Sequence, residues 1–462
     1  MYKISFDKPC HLHFIGIGGI SMSGLAAILL NEGFTVSGSD THETDLTNRL
    51  TAAGAKISYT QTTENITDDI DVVVYTAAIH PSNPEYAAAV EKNIPLLTRA
   101  QLLGEMMKSY KIPICVSGTH GKTTTTSMAS HVLMAADKNP TISVGGILPL
   151  IKGNYHIGNT DTFLMEACEY TNSFLDFFPK ISIILDIDAD HLDFFKDLED
   201  IRNSFRKFAE LLPADGTLII NADDPAFKMI TKDLPCEVIT YSLSNIGNYT
   251  ADMITYDELG HASFRALYKG EPIGNFALQV PGSHNVSNAL AVIALAEKLG
   301  IDADTIQKGF DSFHGTNRRF EQKGEMNGAT VIDDYAHHPT EIKATLNTAR
   351  RVPHKTIWCV FQPHTYTRTK SLLPQFAEAL SIADHVVLAD IYAARELDIY
   401  GISSKDLQNE IIKLGTDCDY FPSFAEIEAY LRANVKEGDL LITMGAGNIV
   451  QVGEALVTET NA

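Results

Sequence analysis

The chain has 462 residues, 45% hydrophobic and 20% charged, with a formal net charge of −22. At roughly 150 residues per domain, that length suggests about three domains. The negative balance argues against nonspecific nucleic-acid binding, which needs a basic surface, but leaves room for a few Lys and Arg gathered around an anionic small molecule.

No run approaches the roughly 18 apolar residues of a membrane helix. Met1–Cys10 carries Lys3, Asp7 and Lys8 in place of a leader's apolar stretch, so a cytoplasmic chain without membrane or nucleic-acid partners is expected. The six cysteines, Cys10, Cys115, Cys168, Cys236, Cys359 and Cys418, form no C-x-x-C pair. They read as buried small hydrophobes, not as a zinc site or a disulfide framework.

In chain order, strands are expected at His11–Ile15, Thr35–Ser39 and Asp71–Tyr75, with a small-residue helix at Ser23–Asn31. Continuous apolar strands alternating with helices imply a parallel sheet covered on both faces. The pattern restarts with a strand at Ile112–Val116 and a helix at Thr124–Met134, then strands at Phe163–Glu166, Ile181–Asp186 and Thr217–Asn221. Tyr241–Gln279 reads as short antiparallel strands inserted before Pro281, followed by a helix at Asn288–Leu299 with Gly300 just past its end. A third alternation has strands at Thr330–Ile332, Thr356–Phe361, His385–Leu388 and Leu440–Thr443, each ending in a polar or glycine-rich loop. Such loops at carboxyl ends of strands are where ligands bind in open α/β sheets.

Gly16-Ile17-Gly18-Gly19-Ile20-Ser21 follows the first strand and opens the first helix. Glycines let a phosphate approach the backbone, and the helix N-terminus supplies N–H donors. Ser21 stands where the dinucleotide fingerprint has a third glycine. Asp40, after the second strand, suits a ribose hydroxyl. A turn required only by packing, or an NAD site, reads the same at this point.

Gly118-Thr119-His120-Gly121-Lys122-Thr123-Thr124 lies between a strand and a helix. Its backbone can cradle phosphate, Lys122 can reach the β/γ-phosphates, and Thr123 can hold Mg²⁺. Two residues separate its glycines where the standard P-loop has four. Glu166 ends an apolar strand and is placed to share the ion with Thr123.

The short form Gly-Thr-His-Gly-Lys-Thr resembles the ATP loop of the Mur ligase family, and the resemblance covers almost the whole chain. Gly16–Gly24 resembles the UDP-binding turn of the family's L-alanine-adding member, and Leu97-Thr98-Arg99-Ala100 is similar to the close of the first domain. The implied fold is α/β in three domains. These are a Rossmann-like UDP-substrate domain at 1–107, a central P-loop ATPase-like domain at 108–317 and a Rossmann-like amino-acid domain at 318–462.

The resemblance implies an ATP-dependent ligase of peptidoglycan synthesis. It would join L-alanine to the lactyl carboxylate of UDP-N-acetylmuramate through an acyl phosphate, with ATP and Mg²⁺, as a monomer or homodimer. By resemblance, Thr123, Glu166 and His191 hold the metal, and Lys122, Glu166 and His191 are catalytic. The ATP set is Gly118, Thr119, His120, Gly121, Lys122, Thr123, Thr124, His284, Asn285, Asn288, Arg319 and Asp334. The UDP-substrate set is Gly16, Gly18, Gly19, Ser39, Asp40 and Arg99. Tyr335, His337 and Arg368 are expected at alanine, and Asp390–Glu396, with Arg395, also matches this member. Asp186 stands where the family usually has Asn, and Asn448 where it has Asp. For Asn285 or Ser283 the competing role is a helix cap. The competing functions are a ligase that returns a whole tripeptide to the same nucleotide and an NAD-dependent oxidoreductase.

Overall fold

The computed structural model describes residues 2–76, 79–244, 246–394 and 396–458. Arg395 therefore lies outside the described residues. The strands gather into three sheets, each drawn from one stretch of the chain.

The first sheet is all parallel, in the order Lys56–Ser58, Thr35–Ser39, His11–Ile15, Val72–Tyr75, Leu96–Thr98. Leu12, Phe14, Val72, Val73 and Val74 are fully buried, as a strand covered on both faces requires. Strand order reverses at His11–Ile15, which opens a crevice at that strand's carboxyl end, where the Gly16–Gly19 turn lies.

The second sheet has ten strands. Its parallel centre runs Glu237–Ser242, Thr217–Asn221, Ile181–Ile184, Ile112–Ser117, Thr162–Glu166 and Thr141–Leu148. The third has six strands, ordered Glu321–Met326, Ala329–Asp334, Leu440–Met444, Ile357–Phe361, His385–Leu388, Asp417–Tyr420, with only the first pair antiparallel.

The region 241–279 forms antiparallel strands as expected, but they are long rather than short. Its strands, Tyr249–Tyr256, His261–Tyr268 and Glu271–Pro281, are 8, 8 and 11 residues long and extend the central sheet itself. Tyr249 and Thr250 pair in parallel with Tyr241 and Ser242 before the hairpins turn antiparallel. The second hairpin closes on Lys269 and Gly270, both at positive φ (50° and 87°), the turn that matches strand twist. One alternating face of His261–Tyr268 is buried, so the strands are held by a core beneath them.

Three helices begin earlier than their apolar periodicity suggests, at Ile20, Lys122 and Ser283. In each case the glycine turn leads straight into the first helical turn, so polar residues that read as loop are helical. Lys122, Thr123 and Thr124 thereby sit on a helix N-terminus. The helix at Ser283–Lys298 is preceded by Gly282 and has no side-chain cap bond, so the capping role considered for Ser283 or Asn285 is absent.

The first and central units share one continuous apolar core that runs from Leu12 and Phe14 to Phe163, Phe205 and Phe208. The third unit has its own two apolar clusters, which contain no residue before Phe320. It meets the central unit through charged and polar groups.

Candidate functional site

The phosphate loop leaves the strand Ile112–Ser117 at Gly118, whose φ of +145° and tight seat both demand glycine. A Cβ there would lie 2.9 Å from Leu185 Cβ and 3.1 Å from the Asp186 amide. Asp186 holds the loop from both ends of its own residue. Its carbonyl accepts from Thr119 N at 2.9 Å, and its Oδ1 accepts from His120 N at 2.8 Å. Those two amides are thus engaged, and the donors left to face an anion are the first-turn amides from Lys122 to Thr124, which a helix start leaves without intrahelical partners. Burial pushes the Asp186 carboxyl up to about 6, against the lowering pull of His120 and Lys122.

Lys122 Nζ donates to Gly118 O (2.5 Å), Thr119 O (3.0 Å) and Glu169 Oε2 (3.0 Å). Burial works against its charge, but the negative groups around it, Glu169 foremost and Glu166 with it, together outweigh burial and raise the ammonium above its ordinary range. Glu169 is 2% exposed and also faces His191 Nε2 at 3.9 Å. It was not singled out from the sequence. The signal available was a second carboxylate three residues beyond Glu166.

Thr123 Oγ1 donates to Glu166 Oε2 at 3.2 Å, and Gly145 N donates to Oε1 at 2.6 Å. Burial raises the Glu166 pKa, against the lowering pull of Lys122 and Arg319. A hydroxyl, a buried carboxylate and an imidazole form a donor set that suits a hard divalent cation. The structure brings Thr123 and Glu166 together. His191 instead touches Glu169 and Asp190, 3.9 Å from each, and its ring lies 4.5 Å from that of Tyr170.

Beside the loop is a cavity of about 270 Å³ that gathers His120, Gly121, Thr124, His284, Asn285, Asn288, Arg319 and Asp334. Asn285 Nδ2 donates to Pro281 O at 2.7 Å, and Asn288 Nδ2 to Asn285 Oδ1 at 3.1 Å, which fixes both amides. Asp334 accepts from Phe320 N (2.9 Å) and Ala336 N (2.8 Å), so it also shapes the turn around Arg319. Burial raises its carboxyl to about 6 even with Arg319 nearby.

A second cavity, about 220 Å³, is lined by Tyr170, Asp190, His191, His364 and Arg368, among others. Arg368 directs Nε (3.0 Å) and Nη2 (2.8 Å) to Asp190 Oδ1, and Nη1 to His364 Nδ1 (3.1 Å). Its fork already holds a carboxylate, that of Asp190 across the seam. Burial opposes charge on Asp190, yet Arg368 holds it well below the usual carboxylate range. Burial lowers His364 and His337 to about 4, so both are neutral. Tyr335 and His337 are not in the wall of this cavity; His337 donates from Nδ1 to Tyr335 O (3.0 Å) and meets His364 ring to ring at 5.7 Å. Asp190 and His364 join the site from loops and Glu341 from the first turn of the helix Pro339–Ala349, each with partners distant in the chain.

In the first unit, Gly18 N donates to Asp40 Oδ2 at 2.8 Å, and a Cβ on Gly18 would collide with that oxygen. Gly16 N and Ile17 N donate to Ser39 O. The Ser39 side chain is fully buried and donates to Glu85, so it orders the turn and does not face the crevice. Arg99 starts the helix Arg99–Met107. Among the described residues its guanidinium has no hydrogen-bond or ion-pair partner, and burial lowers its pKa. Asn448 accepts from Gln362 Nε2 at 3.0 Å, which ties two strand-end loops together.

Sequence models of one family match along the chain: "Mur ligase family, catalytic domain" at 11–111, "Mur ligase middle domain" at 116–296 and "Mur ligase, glutamate ligase domain" at 318–447. A UDP-N-acetylmuramate–L-alanine ligase of Agathobacter rectalis is 58% identical over 99% of this chain and 100% of its own. The ligase of that name from Caldanaerobacter subterraneus is 50% identical over 99% of both. A crystal structure of UDP-N-acetylmuramate-alanine ligase from Thermotoga maritima superposes with a TM-score of 0.81, at 31% identity, over 98% of this chain and 99% of that one. A murein peptide ligase from Psychrobacter arcticus, 24% identical with a TM-score of 0.72 over 97% of this chain and 98% of that one, shares the fold.

Gly118→Ala is expected to weaken nucleotide binding while the chain stays folded. Strain at positive φ and the contact with Leu185 would push the loop off Asp186, at a cost of about 1–3 kcal/mol or roughly five- to hundredfold in affinity. Titration of a fluorescent nucleotide, with thermal denaturation as the control, reads this; unchanged affinity would mean that the loop geometry does not set binding.

Proposed function

The chain belongs to the Mur ligase family, and on that premise we propose that it joins L-alanine to UDP-N-acetylmuramate with ATP, a step of peptidoglycan precursor synthesis. The observation that carries this reading is the arrangement around Lys122. The nucleotide cavity lies on one side of the phosphate loop. On the other, Glu169 leads through His191 to a second cavity closed by the Arg368 fork. A phosphate donor and an amino acid are thus brought to either side of one cation. The oxidoreductase alternative leaves that arrangement without a use, and the relatives over the full chain are alanine ligases by name.

The lactyl carboxylate attacks the γ-phosphorus of ATP, ADP leaves, and an acyl phosphate forms. The free amine of alanine then attacks the acyl carbon, phosphate leaves, and an amide remains. Lys122 and the amides of the first helical turn stabilise charge on the transferring phosphoryl group. Thr123, Glu166 and His191 would hold Mg²⁺, which neutralises the phosphate oxygens. His284, Asn285 and Asn288 face the adenine, and Arg319 and Asp334 the ribose and phosphates. The turn Gly16–Gly19 with Asp40 receives the UDP moiety, and Arg99, which has no hydrogen-bond or ion-pair partner among the described residues, suits an anionic group of the same substrate. Arg368 takes the alanine carboxylate in place of, or together with, Asp190, and Tyr335 and His337 support that pocket. The division 1–107, 108–317 and 318–462 follows the three sheets. No described helix is long and apolar enough to cross a membrane, which accords with work in the cytoplasm.

Phosphate release should require all three substrates and match amide formation one to one. Alanine-independent release at the full rate would remove the ligase reading.

Glu166→Gln keeps shape and loses charge, so turnover should fall and the Mg²⁺ concentration for half-activity should rise. An unchanged Mg²⁺ titration would leave Glu166 a structural role with Gly145.

Arg368→Lys replaces a fork with a point charge. The alanine KM should rise about ten- to hundredfold, the loss of roughly 1.5–3 kcal/mol for a charged hydrogen bond, with a smaller change for ATP. Equal rises would show that Arg368 acts through Asp190 on docking of the third unit instead.

A further inference from the structure

His120 stands between the two glycines of the phosphate loop, 13% exposed. Its Nε2 donates to Asp188 Oδ2 at 3.3 Å, and its Nδ1 lies 3.3 Å from Glu341 Oε1. Carboxylates only accept, so a ring with a carboxylate at each nitrogen carries both protons. Asp188 belongs to the central unit and Glu341 to the helix Pro339–Ala349 of the third. One cation on the loop therefore spans the seam.

Both carboxylates have further partners from the third unit. Thr340 Oγ1 donates to Asp188 Oδ2 at 2.5 Å, and His338, the cap of that helix, lies with its ring 4.9 Å from that of His120. Glu341 accepts from His337 N at 3.0 Å and faces Arg319 at 3.9 Å. His337 in turn meets His364, which accepts from Arg368. A continuous set of contacts leads from the phosphate loop to the fork of the second cavity.

We propose that His120, as imidazolium, is a positioning residue that ties the phosphate loop to the Pro339 helix and so couples the nucleotide seat to the amino-acid pocket. The coupling rests on the functional reading above; the tie itself does not. Among the described residues no buried apolar cluster spans the seam between the third unit and the central one, so its docking leans on such pairs. The groups facing the ring are Asp186 and Asp188 from the central unit, and Glu341, His338 and Arg319 from the third unit and its approach. Burial opposes the imidazolium charge, but the three carboxylates outweigh burial and raise its pKa well above the ordinary value. Docking therefore takes up a proton. Its contribution is complete below about 6.5, the free imidazole value, and is lost as pH rises through the raised value.

The test uses the full chain with His120→Gln, Glu341→Gln and the double variant. Each single change should lower kcat/KM for alanine about tenfold, a coupling typical of groups in contact, and by more than it weakens nucleotide binding in a direct titration. The double variant should be no worse than the poorer single. In the unaltered chain, kcat/KM for alanine should fall at alkaline pH. Glu341→Gln should move that fall to lower pH because one of the raising carboxylates is gone, and His120→Gln should abolish it. Multiplying losses in the double variant, an alkaline fall unmoved by Glu341→Gln, or nucleotide affinity lost as fully as alanine use would each overturn the proposal. The tie is also read without turnover. The radius of gyration from small-angle X-ray scattering should grow with pH in the unaltered chain and not in His120→Gln. A pH-independent radius in the unaltered chain overturns the tie, whereas absent alanine-dependent phosphate release counts against the functional reading alone.

Discussion

Charge that leaves water must find a partner, and this constraint organises the seam between the central and third units. An unpaired buried ion costs several kcal/mol. Asp190 is 8% exposed and is met by Arg368 from across the seam. Glu341, 14% exposed, is met by His120 from the opposite direction. Lys122 and Glu169 form a third pair inside the central unit, directly beneath the loop. The positions of the candidate site groups follow from these pairings. The lysine is held by Glu169, the arginine fork is aligned by Asp190 and His364, and the loop is held down by Asp186.

The chemistry benefits from a seam of this kind. A shared apolar core fuses the first and central units, while the third unit, with its own core, is held by polar pairs that water can replace. Inter-domain contacts of that character permit relative motion. A ligase that forms an acyl phosphate must admit three substrates and then exclude water from the intermediate. A fused apolar seam would give exclusion without admission.

The two departures from the family pattern have simple local explanations. Asp186 uses one oxygen to accept from the His120 amide, a bond that an Asn side chain also makes through its carbonyl oxygen. Burial raises its carboxyl to about 6, so it is still ionised near neutral pH and its charge adds to the hold on His120. Asn448 is bonded to the side chain of Gln362. That contact needs one acceptor oxygen, which the Asn side chain supplies.

Much of this protein was legible in the chain itself. Alternating apolar runs located the parallel strands, because a strand covered on both faces must be apolar throughout. The spacing of Gly118, Gly121, Lys122 and Thr123 marked the phosphate loop, because only that backbone admits an anion so closely. At Tyr249–Pro281 the antiparallel strands were legible but not their length or their place in the central sheet, because both depend on a core supplied by other parts of the chain. Local periodicity failed at the helix starts, where Lys122 and Ser283 are polar but their glycine turns run directly into helix. Glu169, Asp188, Asp190, His364 and Glu341 carried no signal strong enough to stand out, since single acidic residues and histidines outside a motif are common and usually solvated. The role of each depends on a partner far away in sequence: 178 positions separate Asp190 from Arg368, and 221 separate His120 from Glu341. The sequence by itself determined the strand pattern, the loop and its cation, because each rests on residues that are neighbours in the chain. Which carboxylate meets which cation was decided only by the tertiary structure, because docking the third unit brings those groups together and removes them from water at the same time.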